Sequence, residues 1–234
     1  CGLPMPLQGT PEPVYDQPSQ PQQQPAQQVQ RVDVTQLNPQ QKAGYDVIID
    51  AIKALVNRQQ PEKTCFFVSG PGGSGKTTLY KALLSSCANM NMRTACFATT
   101  GIASTLMENA MTVHRGFGLP LKMSDKTKSF YFDKPGLPGA RVLYSTAVIF
   151  IDEVTMMQKQ ALRMINDLLQ KLMNNDLPFG GKVIVVGGDF RQLLPVVPGA
   201  SRENVVNECI IRSPLWSNFT VIKLTKNMRA ALDP

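Results

Sequence analysis

Two short strings in this 234-residue chain hold residues whose types and spacing could act on a phosphate. Gly70-Pro71-Gly72-Gly73-Ser74-Gly75-Lys76-Thr77 repeats the pattern G-x-x-x-x-G-K-[ST]. Glycines at these places let successive backbone N–H groups curl around an anion, and a helix opening at Lys76 adds the positive end of its dipole. Lys76 would reach the β- and γ-phosphates of ATP, and the Thr77 hydroxyl would sit on Mg²⁺. The second string, Val148-Ile149-Phe150-Ile151-Asp152-Glu153, is an apolar run ending in two acids. At such a strand end Asp152 would contact Mg²⁺, and Glu153 would take a proton from an attacking water. Read singly, the glycines could be a plain connector and the acids a solvated strand end. Read together, they favour hydrolysis over binding alone.

Chemistry at these positions requires a scaffold that brings them to one place. Asn38 is a good N-cap, Pro39 suits a first helical position, and Tyr45, Ile48, Ile49, Ile52, Leu55 and Val56 recur at helical spacing. A helix is therefore expected over 39–57. Cys65–Val68 has the continuous apolar character of a buried parallel strand, and a helical pattern follows from Lys76 to Met90. Further strands are expected at Thr94–Ala98, Ala147–Ile151, Lys182–Val186 and Thr220–Leu224. A helix is expected over Gln158–Met173, with Leu162, Ile165, Leu169 and Leu172 on one face. Strands alternating with helices predict an α/β fold, a P-loop parallel sheet flanked by helices. Residues 116–140 break the alternation. Glycines and prolines there surround Lys122, Lys126, Lys128, Lys134, Phe130, Tyr131 and Phe132, a long basic and aromatic loop. It could be a stacking surface for single strands, or a solvated loop with one aromatic tucked into the core. Trp216 reads as an anchor against the sheet.

Composition sets the outer bounds. The first 30 residues hold 7 Pro and 9 Gln, so residues 1–34 read as a disordered tail and 35–234 as the folded domain. Net charge is +7 overall, but that tail is acidic and the rest carries +9, which fits an acidic partner such as nucleic acid. No apolar run approaches a membrane span. The five cysteines form no C-x-x-C pair and His114 is the single histidine, which argues against a zinc site or a disulfide framework and suits a reducing compartment. The chain begins at Cys1 rather than Met and reads as a fragment.

Several strings, in order, resemble the superfamily-one helicases of the PIF type, related to RecD, which run 5′-to-3′. Leu37-Asn38-Pro39-Gln40-Gln41 is similar to the family's adenine-reading glutamine motif. Gly70 to Thr78, the string GPGGSGKTT, is similar to its first motif. TTGIAS at 99–104 and the following Thr112-Val113-His114 resemble the next motif and its partner, which touch single-stranded DNA in the family. IDEVTMM at 151–157 resembles the second motif, GDFRQLLPV at 188–196 the third, and Leu224 to Arg229 the fourth. The third motif departs from the usual GDFxQLPPV at Leu194. The string from His114 to Pro120 resembles helicases of Helitron-like transposons as much as repair helicases.

The resemblance implies a RecA-like ATPase domain whose second RecA-like partner is missing after Arg229. ATP and Mg²⁺ would be its cofactors, single-stranded DNA and duplex junctions its partners, and a monomeric motor its form. The nucleus, or the mitochondrion, would be its place, and repair, recombination or telomere maintenance its task. On the same grounds Gln41 and Thr78 would join the nucleotide site and Gln192 would sense the γ-phosphate. Arg229 would be an arginine finger, and Thr99, Thr100, Gly101 and His114 would touch DNA. Each of Gln41, Gln192, Arg229 and His114 also has a reading as an ordinary surface or loop residue. Another P-loop ATPase or kinase, or a non-catalytic DNA-binding helicase fragment, are the competing readings.

Overall fold

The computed structural model describes residues 33–101, 110–192, 195 and 201–228. Apart from Asp33 and Val34, the proline- and glutamine-rich stretch lies outside them. Val34, left with the tail by composition, opens a 3₁₀ turn over Val34–Gln36 and packs against the core.

Among the described residues, six strands form one parallel sheet. In chain order they are β1 (Cys65–Ser69), β2 (Thr94–Ala98), β3 (Met111–Thr112), β4 (Val148–Asp152), β5 (Val183–Gly188) and β6 (Phe219–Lys223), arranged β3-β2-β4-β5-β1-β6. The strands read as unbroken apolar runs because both sheet faces are covered. Cys65, Phe67, Ile149, Ile151, Ile184 and Val186 bury to one side. Phe66, Val68, Val148, Phe150, Val183 and Val185 bury to the other. The second side is covered by α1 (Pro39–Val56) and α2 (Lys76–Asn89), through Ile48, Ile52, Leu79 and Leu83. The first is covered by α3 (Val113–Phe117), α4 (Pro138–Ser145) and α5 (Lys159–Met173), through Phe117, Leu143, Leu162, Ile165 and Leu169. A seven-residue α6 spans Arg202–Glu208.

The expected helices and strands appear within about two residues of their observed ends. Two features differ. The irregular stretch expected at 116–140 shrinks to 118–137, because α3 runs through Phe117 and Pro138 opens α4. It is also folded back on the domain. The Phe130 N–H donates to Gly118 O at 2.8 Å, and the Ser129 hydroxyl donates to Phe117 O at 2.6 Å. Lys182, expected inside a strand, precedes β5. It is buried, donates to Tyr144 O at 3.0 Å and Thr146 O at 2.6 Å, and burial lowers its pKa to about 8. Trp216 does anchor to the sheet, edge-on to Phe67 at 4.9 Å and 5.6 Å from Phe190.

Candidate active site

The loop after β1 and the ends of β4 and β5 meet at the carboxyl edge of the sheet. Here a doubly covered α/β sheet leaves a crevice for ligands. Gly73 and Gly75 take φ of +79° and +86°, a left-handed backbone that an L side chain resists, and Gly75 is the N-cap of α2. The loop is tied down at both ends. Gly70 N–H donates to Gly188 O at 3.3 Å, and Met228 N–H donates to Gly73 O at 2.8 Å. Lys76, the first residue of α2, folds over the loop and donates to Gly70 O at 2.7 Å and Pro71 O at 3.4 Å. Thr77 and Thr78 follow it in the first turn, both half-buried. The loop's Ser74 is buried, and its hydroxyl has no partner among the described residues.

Two strands away from β1, Asp152 closes β4 with its side chain buried at 4% exposure. Its Oδ1 has no hydrogen-bond partner among the described residues. Burial raises its pKa, against the opposing pull of the Glu153 N–H and Lys76. Glu153 stands at φ +53°, an unusual conformation for a non-glycine residue. Its carboxyl is raised by burial and then by Asp152, with a further push from Asp189. Asp189, just past β5, behaves oppositely. Burial alone would raise it, but the Arg191 N–H at 3.0 Å and guanidinium at 3.2 Å hold it below the ordinary range. Gln192 N–H donates to Asp189 O at 3.0 Å. Its exposed amide reaches the phosphate loop, since a Cβ built on Gly72 would lie 3.8 Å from Gln192 Nε2.

The start of α1 forms a third wall. Asn38 Oδ1 accepts from Gln41 N–H at 3.0 Å, and Gln41 Oε1 accepts from Asn38 N–H at 2.9 Å, a reciprocal cap. Gln41 Nε2 donates to Gly75 O at 3.2 Å, which places this glutamine against the phosphate loop. Gln40 was not expected to matter. Its Oε1 accepts from the N–H groups of Thr225 at 2.9 Å and Lys226 at 3.3 Å, and its Nε2 donates to Thr225 Oγ1 at 2.8 Å. Asn38 Nδ2 lies 3.3 Å from Met228 Sδ. The segment 224–228 is thereby strapped to α1 and the phosphate loop. Arg229 lies outside the described residues, as do 102–104 of the TTGIAS string and 193, 194 and 196 of the third motif.

The residues expected to touch DNA sit at the other end of the same edge. Thr99 follows β2, and its N–H and hydroxyl both approach Asp152 O, at 3.2 and 3.4 Å. The register Ala98↔Thr112 sets the Thr99–Gly101 turn beside α3, which carries a half-buried His114 whose pKa is lowered by burial. In the 118–137 segment, Lys134 covers the Phe130 ring at 4.1 Å and Lys128 covers Phe132 at 4.4 Å, so lysines of this chain already stack on both rings.

This arrangement suits a polyphosphate and its cation. The loop supplies N–H groups and Lys76 the charge. The buried carboxylate of Asp152, within electrostatic reach of Lys76, is the kind of group a hydrated divalent ion satisfies. Among the described residues no cluster of three acids, cysteines or histidines could bind a metal unaided, and a cation carried by phosphates needs no such cluster. Glu153 combines a raised pKa with a place beside Asp152, which fits a base for water.

The family model described as PIF1-like helicase matches residues 36–233. A Psychrobacter protein named ATP-dependent DNA helicase Pif1 is 34% identical over 169 residues, covering 70% of this chain and 25% of that protein. A Candida albicans Pif1 helicase structure, 24% identical, superposes with a TM-score of 0.67 over 82% of this chain and 40% of that one, which shows the RecA-like fold. A Bacteroides Pif1 helicase structure in complex with ADP-AlF3 and ssDNA is 26% identical, with a TM-score of 0.57 over 78% of this chain and 43% of that one. The chain thus spans a quarter to under half the length of these relatives.

Proposed function

This chain belongs to the PIF1-like helicase family, and we propose that it is the first RecA-like half of an ATP-driven motor on single-stranded DNA, with residues 35–234 as that half. The observation that carries this reading is the buried Asp152 carboxylate at the end of β4, two strands from the phosphate loop and within electrostatic reach of its Lys76. The Bacteroides relative's complex with ADP-AlF3 and ssDNA supports the same two ligands here.

In this mechanism Lys76 exchanges the Gly70 and Pro71 carbonyls for the β- and γ-phosphates of ATP, and the N–H groups of Gly72 to Thr78 cradle the rest. Magnesium bound with the nucleotide would offset phosphate charge, held by the Thr77 hydroxyl and by Asp152. Glu153, its pKa raised, accepts the proton of the attacking water. Gln192 at the loop reports the γ-phosphate. Arg229 neutralises charge on the transferred group. Gln41 serves the base through the N–H left over from its bond to Gly75. Thr99, Thr100, Gly101 and His114 contact the strand, and translocation opens duplex junctions. The motor would work as a monomer, in the nucleus or mitochondrion, in repair, recombination or telomere maintenance.

The test uses the longer protein carrying both RecA-like halves. ATP hydrolysis should be stimulated by single-stranded DNA and abolished by Lys76→Ala. Hydrolysis that ignores DNA, or that survives the substitution, sinks the proposal.

A further inference from the structure

We propose that Tyr80 is a positioning residue for Asp152, its phenol being the neutral donor that orients the carboxylate when nucleotide and a divalent cation bind. This rests on the nucleotide reading of the site. Tyr80 lies four residues after Lys76, one turn further along the same face of α2, so a single helix carries the phosphate cation and this donor. The residue is 1% exposed, and its ring packs edge-on to Phe150 at 5.9 Å, two residues before Asp152 on the same strand. The hydroxyl lies against Gly187 on β5. A Cβ built on Gly187 would overlap Tyr80 Oη and lie 3.1 Å from Asp152 Oδ1. Both oxygens therefore crowd the same side of one glycine. Neither has a hydrogen-bond partner among the described residues.

A buried hydroxyl without a partner costs stability, and phenylalanine would fill the same space without that cost. The phenol thus needs a reason, and the adjacent oxygen supplies one. A carboxylate that holds a hydrated cation with one oxygen must be steadied at the other. A lysine there would cancel the charge the cation needs, whereas a phenol donates and leaves that charge intact. A tyrosine phenol is protonated at neutral pH and so is a neutral donor.

The test compares the chain with its Tyr80→Phe variant by binding of a fluorescent ADP analogue, in EDTA and across a magnesium titration, alongside thermal melting. Binding in EDTA should match the parent, and the melting temperature should hold or rise. The magnesium needed for half-maximal tight binding should increase about tenfold, the size expected for one lost hydrogen bond to a charged group. In an Asp152→Asn background, Tyr80→Phe should produce no further shift. An unchanged magnesium requirement overturns the proposal. So does a variant that melts earlier and loses affinity equally in EDTA, which would mark Tyr80 as a packing residue. Absence of magnesium-dependent binding in the parent chain would instead overturn the nucleotide reading, and this inference with it.

Discussion

Gln40 grips Thr225 at two points: its Oε1 accepts from the Thr225 N–H at 2.9 Å and its Nε2 donates to the Thr225 hydroxyl at 2.8 Å. One side chain in the first turn of α1 thereby holds the segment that leads to Arg229. Gln40→Ala should free that segment. Amide exchange at Thr225 and Lys226 should speed up roughly tenfold, the scale of a lost hydrogen bond, while core amides stay protected. Gln40→Glu keeps the acceptor and should show a smaller effect. Unaltered exchange in the alanine variant would make the grip incidental.

Glu153→Gln removes the proposed base and keeps the shape. Hydrolysis in the two-domain protein should fall by about 10²- to 10⁴-fold, the usual contribution of a general base. Nucleotide affinity, measured separately by equilibrium binding, should stay near the parent value. Equal losses in both would assign Glu153 to binding rather than proton transfer.

Gly187→Ala drives a methyl group into the Tyr80 hydroxyl. The expected loss is about 1–3 kcal/mol by denaturant unfolding, as for other overpacked interiors. Tyr80→Phe in the same chain removes the overlapping oxygen and should return part of that loss. Additive losses in the double variant would show that the two residues do not meet.

Lys182 gives stability a pH signature. Burial lowers its pKa from 10.5 to about 8 in the folded chain, while the unfolded chain keeps the ordinary value. Between these pH values the unfolded state binds the extra proton, so stability rises with pH across that window. Below pH 8 the native state must hold a buried charge and the full penalty applies. Lys182→Met lacks this term, so the stability of the parent relative to the variant should climb from about pH 8 to 10.5. A flat difference would refute the assignment.

Much of the scaffold was readable from the sequence, for identifiable reasons. Strands such as Cys65–Ser69 are buried on both faces and so appear as unbroken apolar runs. The α5 stripe of Leu162, Ile165 and Leu169 faces the core on one side only and shows its period. The phosphate loop is legible because its backbone needs glycine. By contrast, β3 has two residues and leaves no period, and α3 and α4 hide among glycines and prolines. Gln40 gave no local signal, since its partner stands 185 residues away. Tyr80 has no local mark of its role, because only the packing of β4 and β5 sets its hydroxyl near Asp152. The left-handed turn at Glu153 has no sequence mark at all.

Asp152 faces two ways. Its carboxylate belongs to the phosphate site, while its carbonyl oxygen receives the Thr99 N–H and hydroxyl from the turn beside α3. A shift of this one peptide unit would be felt at both ends of the sheet edge at once. On the proposed reading, the nucleotide site and the strand site share one peptide unit, and a signal between them needs no loop to order.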